Sequence, residues 1–414
     1  MNLLIKSAKV TDPNSPFNNK VVDIRIVNGV IKEVKPGLSE GKGEKVFKVK
    51  NLHVSPGWFD MQANFRDPGY EYKEDLLSGC RAAAAGGFTG VAVMPSTLPP
   101  IHSKAEVEYV KNKTKGNAVD VYPIGTVSHN LEGKDLSEMY DMHLAGAIAF
   151  SDDKKAISDS GLLVRALLYV KNFGGLIITH CDDRKISLDG KMNEGKTSTR
   201  LGLKGIPALA EELMVARNIY LAEYAGARIH FSDISTKGSV ELVREAKKRK
   251  LKVTASVNAY NLALDDSVLE GFDTNYKTNP PLRTQADINA LKQGLADGTI
   301  DCITSDHAPE DVENKVVEFD HAAFGMTGLE TAFALANMNR GKMSLAQLVE
   351  KMALNPRKIL GLPVPKIRKG EKANLTLFDP DLGWTLEGNA VRSKSRNTPF
   401  MGKKLRGKAL WIVK

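Results

Sequence analysis

Eight short apolar stretches, each followed by a longer segment with helical character, constrain this chain more than any other feature. They cover residues 57–61, 89–94, 119–124, 147–150, 176–180, 227–231, 252–257 and 300–304. Helix-forming runs such as 74–86, with its four consecutive alanines, 208–225 and 240–249 fill the gaps. Eight strand-then-helix units predict parallel strands closed into a (β/α)8 barrel, an α/β fold. Outside these units the pattern changes. Residues 3–5, 21–27 and 46–49 cluster β-formers, with Asn28-Gly29 and Pro36-Gly37 as turns, and 373–378 and 409–413 do the same near the other end. Two short-strand ends predict one small β-sandwich domain from 1–54 with 364–414, beside a barrel domain over 55–363. A length of 414 residues suits that pairing.

Composition narrows the function classes. A hydrophobic fraction of 42% with 26% charged residues describes a globular protein. No apolar run is long enough to cross a bilayer, and residues 1–6 do not read as a secretory signal. Cys80, Cys181 and Cys302 are odd in number and far apart, which argues against a disulfide framework and for a reducing cytoplasm. The net charge of +9 is spread among interleaved acids, so a solvated basic surface is expected rather than a nucleic-acid interface.

In such barrels the chemistry sits at the carboxyl ends of the strands. Polar residues gather there: Gln62, Asn64 and Arg66 after the first strand, Ser96 after the second, and Asp152-Asp153 after the fourth. His180 ends the fifth, Asp233 follows the sixth, and Asp306-His307-Ala308-Pro309-Glu310 follows the eighth.

Several of these stand inside longer signatures. Pro56-Gly57, Asp60, Arg66 and Pro68-Gly69 frame the first strand. Met192-Asn193-Glu194-Gly195, Asn279-Pro280-Pro281-Leu282-Arg283, Asp306-His307-Ala308-Pro309, Phe324-Gly325 and Asn355-Pro356-Arg357 follow. On these motifs the chain resembles the cyclic amidohydrolases, and dihydroorotase in particular. The resemblance implies a barrel with a small β domain, one or two zinc ions, and reversible ring closure of carbamoyl aspartate to dihydroorotate. It assigns Asp153 as bridging carboxylate, His180 as metal ligand, and Asp306 as metal ligand and general base. Arg66, Asn279 and the Phe324-Gly325 backbone become substrate contacts. Other family positions are replaced. Gln62 and Asn64 stand where the family has His-x-His, and Asp233 stands for a third histidine. Ser96 stands for an asparagine. Glu310 stands for a histidine that helps hold the substrate carboxylate.

A neutral amide is a poor metal ligand beside imidazole. Hydrolysing a cyclic amide near neutral pH needs a strong nucleophile and a polarised carbonyl, which a metal supplies. Asp306 alone, as general base, would contribute about 10²–10⁴-fold. Glu310 adds a negative charge where an anionic substrate needs a donor. The favoured reading is therefore an inactive dihydroorotase homologue of pyrimidine biosynthesis, with Asp306 vestigial and no cofactor. Some members of the family scaffold aspartate transcarbamoylase, so a hetero-oligomer with that enzyme, or a homodimer, is expected in the cytoplasm, with no nucleic-acid or membrane partner. In this reading Lys154 neutralises the acidic cluster in place of a metal. Asp233 is a hydrogen-bonding cavity residue, and His180 is a remnant satisfied by a neighbouring carboxylate. The alternative is an active dihydroorotase or other cyclic amidohydrolase that binds one zinc or manganese ion through His180, Asp153 and Asp233. A third reading keeps Arg66 and Asn279 as a carboxylate sensor. His230 and His307 read as ordinary polar residues. Cys181 points away from His180 by strand alternation and is not expected to be a nucleophile.

Overall fold

The computed structural model describes residues 2–414. Strands β1 (Asn2–Val10), β2 (Val21–Val27), β3 (Val30–Lys35), β4 (Lys45–Phe47) and β5 (His53–Pro56) come first. The barrel strands begin with β6 (Trp58–Ala63), β7 (Phe88–Val93), β8 (Asp120–Pro123) and β9 (Ile177–His180). A two-residue ribbon, β10 (Met192–Asn193) with β11 (Gly205–Ile206), interrupts them. Then follow β12 (Ile229–Ser232), β13 (Val253–Asn258) and β14 (Cys302–Thr304), and finally β15 (Leu375–Thr385) and β16 (Lys404–Val413).

The terminal strands form one seven-stranded sheet, ordered β16-β15-β5-β1-β2-β3, with β4 also on β1. Strand β1 gives one edge to β2 and divides the other between β4 and β5. The sandwich expected from the sequence is thus continuous through β1. Alternate residues Leu3, Ile5, Ile24, Ile26, Leu375 and Leu377 supply its buried core.

Between these strands the barrel closes in a fixed order. β6, β7 and β8 pair in parallel, as do β9, β12, β13 and β14. Phe150 bridges Gly125 and Ile177, joining the two groups, and Ala63 bridges His307 to close the ring. The fourth strand expected at 147–150 is short, with Phe150 as its bridging residue and backbone bonds from the Ile148 N–H to the Pro123 carbonyl at 3.2 Å and from the Phe150 N–H to the Leu176 carbonyl at 2.9 Å. Its neighbour β8 ends in Pro123, which has no N–H to continue a ladder. Phe59, Met61, Ala92, Ile178 and Cys302 fill the barrel against Ile359 and Leu360. Arg357, on the helix Asn355–Leu360, donates to the Gly57 carbonyl at 2.5 Å and to Thr89 Oγ1 at 3.0 Å. That end of the barrel is plugged, which leaves the opposite mouth for ligands.

Local chemistry fixes the helices around it. Asp75 and Ser78 form a capping box at the start of Leu76–Ala85, and the alanine run favours the helical state. Thr236, three residues past Asp233, caps Lys237–Lys248 by accepting from the Ser239 N–H. Among the described residues no helix is long and apolar enough to cross a membrane.

Candidate active site

Four residues at the barrel mouth leave the ordinary backbone regions. Arg66 (φ 58°), Asp153 (φ 51°), Asp233 (φ 57°) and Asp306 (φ 43°) all adopt left-handed conformations. Each such residue costs energy unless its surroundings hold it, and such outliers cluster at functional sites. Here they turn three carboxylates from three strand ends towards one another.

A hydrogen-bonded network engages both oxygens of Asp306 and one oxygen each of Asp153 and Asp233, while Asp153 Oδ1 and Asp233 Oδ1 are buried without a partner. Gln62 Nε2 donates to Asp233 Oδ2 at 2.6 Å and to Asp306 Oδ1 at 2.9 Å. Asn64 Nδ2 donates to Asp153 Oδ2 at 2.8 Å, and Ser96 Oγ donates to the same oxygen at 2.5 Å. Lys154 Nζ stands 2.6 Å from Asp233 Oδ2 and 3.0 Å from Asp306 Oδ1. From β13 and its following turn, Tyr260 Oη donates to Asp306 Oδ2 at 2.5 Å and Asn258 Nδ2 donates at 3.2 Å. Asp306 thus accepts from four donors, about the full capacity of a carboxylate.

Electrostatics follow from this packing. Burial by itself pushes the Lys154 ammonium down, but Asp233, Asp306 and Asp153 outweigh it and hold the group above the ordinary lysine value. Burial likewise raises Asp233, and Lys154 with His180 overcomes it, so this carboxyl lies well below its usual range. For Asp306 burial wins over Lys154, and with the nearby Asp233 charge it holds this carboxyl above the usual range. Beneath the cluster, Asp60 accepts from the Ser305 N–H at 3.0 Å and from Ser305 Oγ, tying β6 to β14, and burial pushes its pKa up to about 7.

His180 is set apart. It is buried, with Nδ1 3.6 Å from Asp233 Oδ2, and neither ring nitrogen has a hydrogen-bond partner. The neighbouring carboxylate expected to satisfy it is out of hydrogen-bond range, because Gln62 and Lys154 draw Asp233 Oδ2 to themselves. Cys181 is buried beneath Asn218, and burial pushes its thiol up. His307 packs against Glu74 at 3.3 Å and His230 against Thr254 at 2.8 Å, both away from the cluster.

A zinc or manganese ion does not fit this donor set. Among the described residues no three His, Cys, Asp or Glu side chains are arranged to hold an ion. Metal-bound histidines almost always donate their other ring N–H to a second partner, and His180 has none. Lys154 puts a tethered positive charge between two of the would-be ligands.

The pocket above the cluster encloses about 290 Å³. Asn64, Arg66, Ser96, Asp153 and Asp306 line it, with Asn279, Phe324 and Gly325 opposite. Gly325 (φ 146°) has no room for a side chain, since a Cβ would lie 2.6 Å from the Ala308 carbonyl. Arg66 Nη2 donates to Glu310 Oε1 at 2.8 Å, and Lys73 donates to Glu310 Oε2 at 2.5 Å. Sequence analysis placed no role on Tyr260, Asn258 or Lys73. The first two lie just past the seventh strand, where barrel logic looks for polar residues, while nothing local marks Lys73.

The pattern matches known proteins over its whole length. Residues 52–239 match the family model described as Dihydro-orotase-like. Dihydroorotases of Trichlorobacter lovleyi and Ruminiclostridium cellulolyticum are 44% and 46% identical, each covering 100% of this chain and 98% and 97% of the relative. Two solved structures share the fold. The L-hydantoinase of Arthrobacter aurescens has TM-score 0.83 at 23% identity, over 99% of this chain and 94% of that one. The dihydropyrimidinase of Brevibacillus agri has TM-score 0.84 at 21% identity, over 100% and 94%. With an amidohydrolase-type barrel, a sheet built from both ends, and relatives this similar along their full length, the chain belongs to the dihydroorotase family.

Proposed function

We propose that this protein serves pyrimidine biosynthesis as a non-hydrolytic member of its family, acting through binding and assembly, with aspartate transcarbamoylase as the candidate partner. The observation that carries this reading is Lys154. Its ammonium lies on Asp233 and Asp306 at 2.6 and 3.0 Å, where it supplies the positive charge the carboxylates need and completes the four donors to Asp306. With Gln62, Lys154, Tyr260 and Asn258 on its two oxygens, Asp306 presents no free lone pair to a water in this arrangement. The amides of Gln62 and Asn64 complete the network as donors, a role that suits hydrogen bonding and opposes metal ligation.

Two measurements test this. Protein purified without chelator is expected to carry no stoichiometric zinc or manganese and to show no turnover of dihydroorotate or carbamoyl aspartate. Mixing with aspartate transcarbamoylase at micromolar concentration is expected to give a complex on gel filtration; its absence counts against the partner.

A second reading, an active dihydroorotase with a single unusual metal, is favoured by the name its relatives carry at 43–46% identity. In that reading Lys154 swings out and Asp306 regains its role as base. Stoichiometric metal with turnover abolished by Asp306→Ala would establish it over the first.

A further inference from the structure

The pocket lining holds four cations, and they divide into two pairs. Arg66 and Lys154, on the inside, are each matched by a carboxylate of the protein: Glu310 for Arg66, and Asp233 with Asp306 for Lys154. Lys155 and Arg184, at the rim, are exposed and form no ion pair among the described residues. Arg184 donates to the Lys154 carbonyl at 3.2 Å. Of the two acids just before Lys155 in the chain, Asp153 accepts from Asn64 Nδ2 and Ser96 Oγ, and Asp152 from the Val127 and Ser128 N–H groups and Ser128 Oγ. Positive charge without a partner is therefore found at the mouth and not at the base.

Glu310 is built into its place. It is 6% exposed, and its N–H donates to Asn397 Oδ1 at 3.1 Å. Arg66 Nε donates to the adjoining Pro309 carbonyl at 3.2 Å, and Lys73 takes the second carboxylate oxygen. Three separate segments thus hold one carboxylate against the inner arginine. Neutral polar groups remain inside. The amide of Asn279, half-buried on the wall, has no hydrogen-bond partner among the described residues.

We propose that Glu310 is a resident counter-ion that sets the specificity of this pocket, so that its ligand is a small monoanion whose charged group meets Lys155 and Arg184 at the rim and whose neutral amide end meets Asn279 inside. A second carboxylate on the ligand would enter beside an arginine already neutralised and close to Glu310, where like charges repel. Selectivity here comes from the repulsive element as much as from the attractive one. The inference rests on the metal-free reading above, in which Lys154 stays on its two carboxylates.

Two probes that differ by a single carboxylate test it: N-carbamoyl-β-alanine and N-carbamoyl-L-aspartate. Calorimetric titration of the full chain is expected to show at least a tenfold preference for the monoacid. Glu310→Gln, which removes the charge and keeps the shape, is expected to reverse that preference. The exposed double variant Lys155→Ala, Arg184→Ala, which leaves the core untouched, is expected to weaken the monoacid at least tenfold. Should Glu310→Gln fold poorly, the rim variant and the two-probe comparison on the unmodified protein still decide. Equal or tighter binding of the diacid by the unmodified protein, no binding of the monoacid at millimolar concentration, or no response to the rim variant would each overturn the proposal. Hydrolysis of dihydroorotate is assayed separately on the same preparations. Turnover with the monoacid preference intact would remove the non-hydrolytic reading alone, whereas no turnover and no preference would remove this inference alone.

Discussion

Replacing Lys154 with methionine is the most informative single change. The variant keeps most of the stem and removes the charge, leaving Asp233 and Asp306 buried with Gln62 as their shared donor. At 2.6 and 3.0 Å, with an effective dielectric of about 20, each lost attraction is about 6 kcal/mol before desolvation is subtracted. Returning the ammonium and carboxylates to water offsets several kcal/mol per ion, and breaking a buried pair from one side costs about 3–5 kcal/mol in practice. The Lys154 side chain is 23% exposed, which places the expected loss at the lower end, about 3 kcal/mol. With a urea slope of about 3 kcal/mol/M, the unfolding midpoint drops by about 1 M. Circular dichroism during urea titration reads this directly. Lys155→Met, one residue along and exposed, is the control and is expected to change stability by less than about 0.5 kcal/mol. If Lys154→Met unfolds within about 0.2 M of the unmodified protein, the lysine is not the counter-ion of the cluster and the argument from it fails.

Three further outcomes are expected. Prolonged treatment with a chelator leaves the urea midpoint unchanged, because no bound ion contributes to the folded state; a fall would show a stabilising metal. Tyr260→Phe removes a donor to Asp306 at 2.5 Å and is expected to cost about 1–3 kcal/mol in the same titration. Burial pushes the His230 imidazole down to about 3, so below its ordinary value of about 6.5 the unfolded chain takes up a proton that the folded chain refuses. Stability therefore falls with acidification through that window, by about 2 kcal/mol per such group between pH 6.5 and 5, and His230→Asn is expected to lose that part of the slope. An unchanged slope would show that His230 is protonated in the fold.

Much of this architecture could be read from residue order. The apolar strands and intervening helices implied a closed barrel, and barrel logic located Gln62, Asn64, Ser96, Asp153, Asp233 and Asp306 at one mouth. What residue order could not convey was direction and reach. The four-carbon stem of Lys154 allows its charge to point to solvent or inward, and only the left-handed turn at Asp153 aims it at Asp233 and Asp306. Lys73 meets Glu310 across 237 residues of sequence, a distance no local pattern spans. Strand four is short beside Pro123, which can accept from Ile148 but has no N–H to donate back, and an apolar run alone does not reveal what its neighbour lacks.

The sheet shared by the two ends of the chain governs the order in which this protein can be assembled. The bond from the Trp58 N–H to Thr376 Oγ1 closes a loop of 318 residues, and β5 finds its antiparallel partner only in β15. A ribosome must therefore release the barrel before β5 gains its second neighbour, and until then that edge presents unpaired amides to solvent or to a chaperone. Contacts this distant in sequence slow folding, because so long a segment must be closed before any pairing energy is recovered.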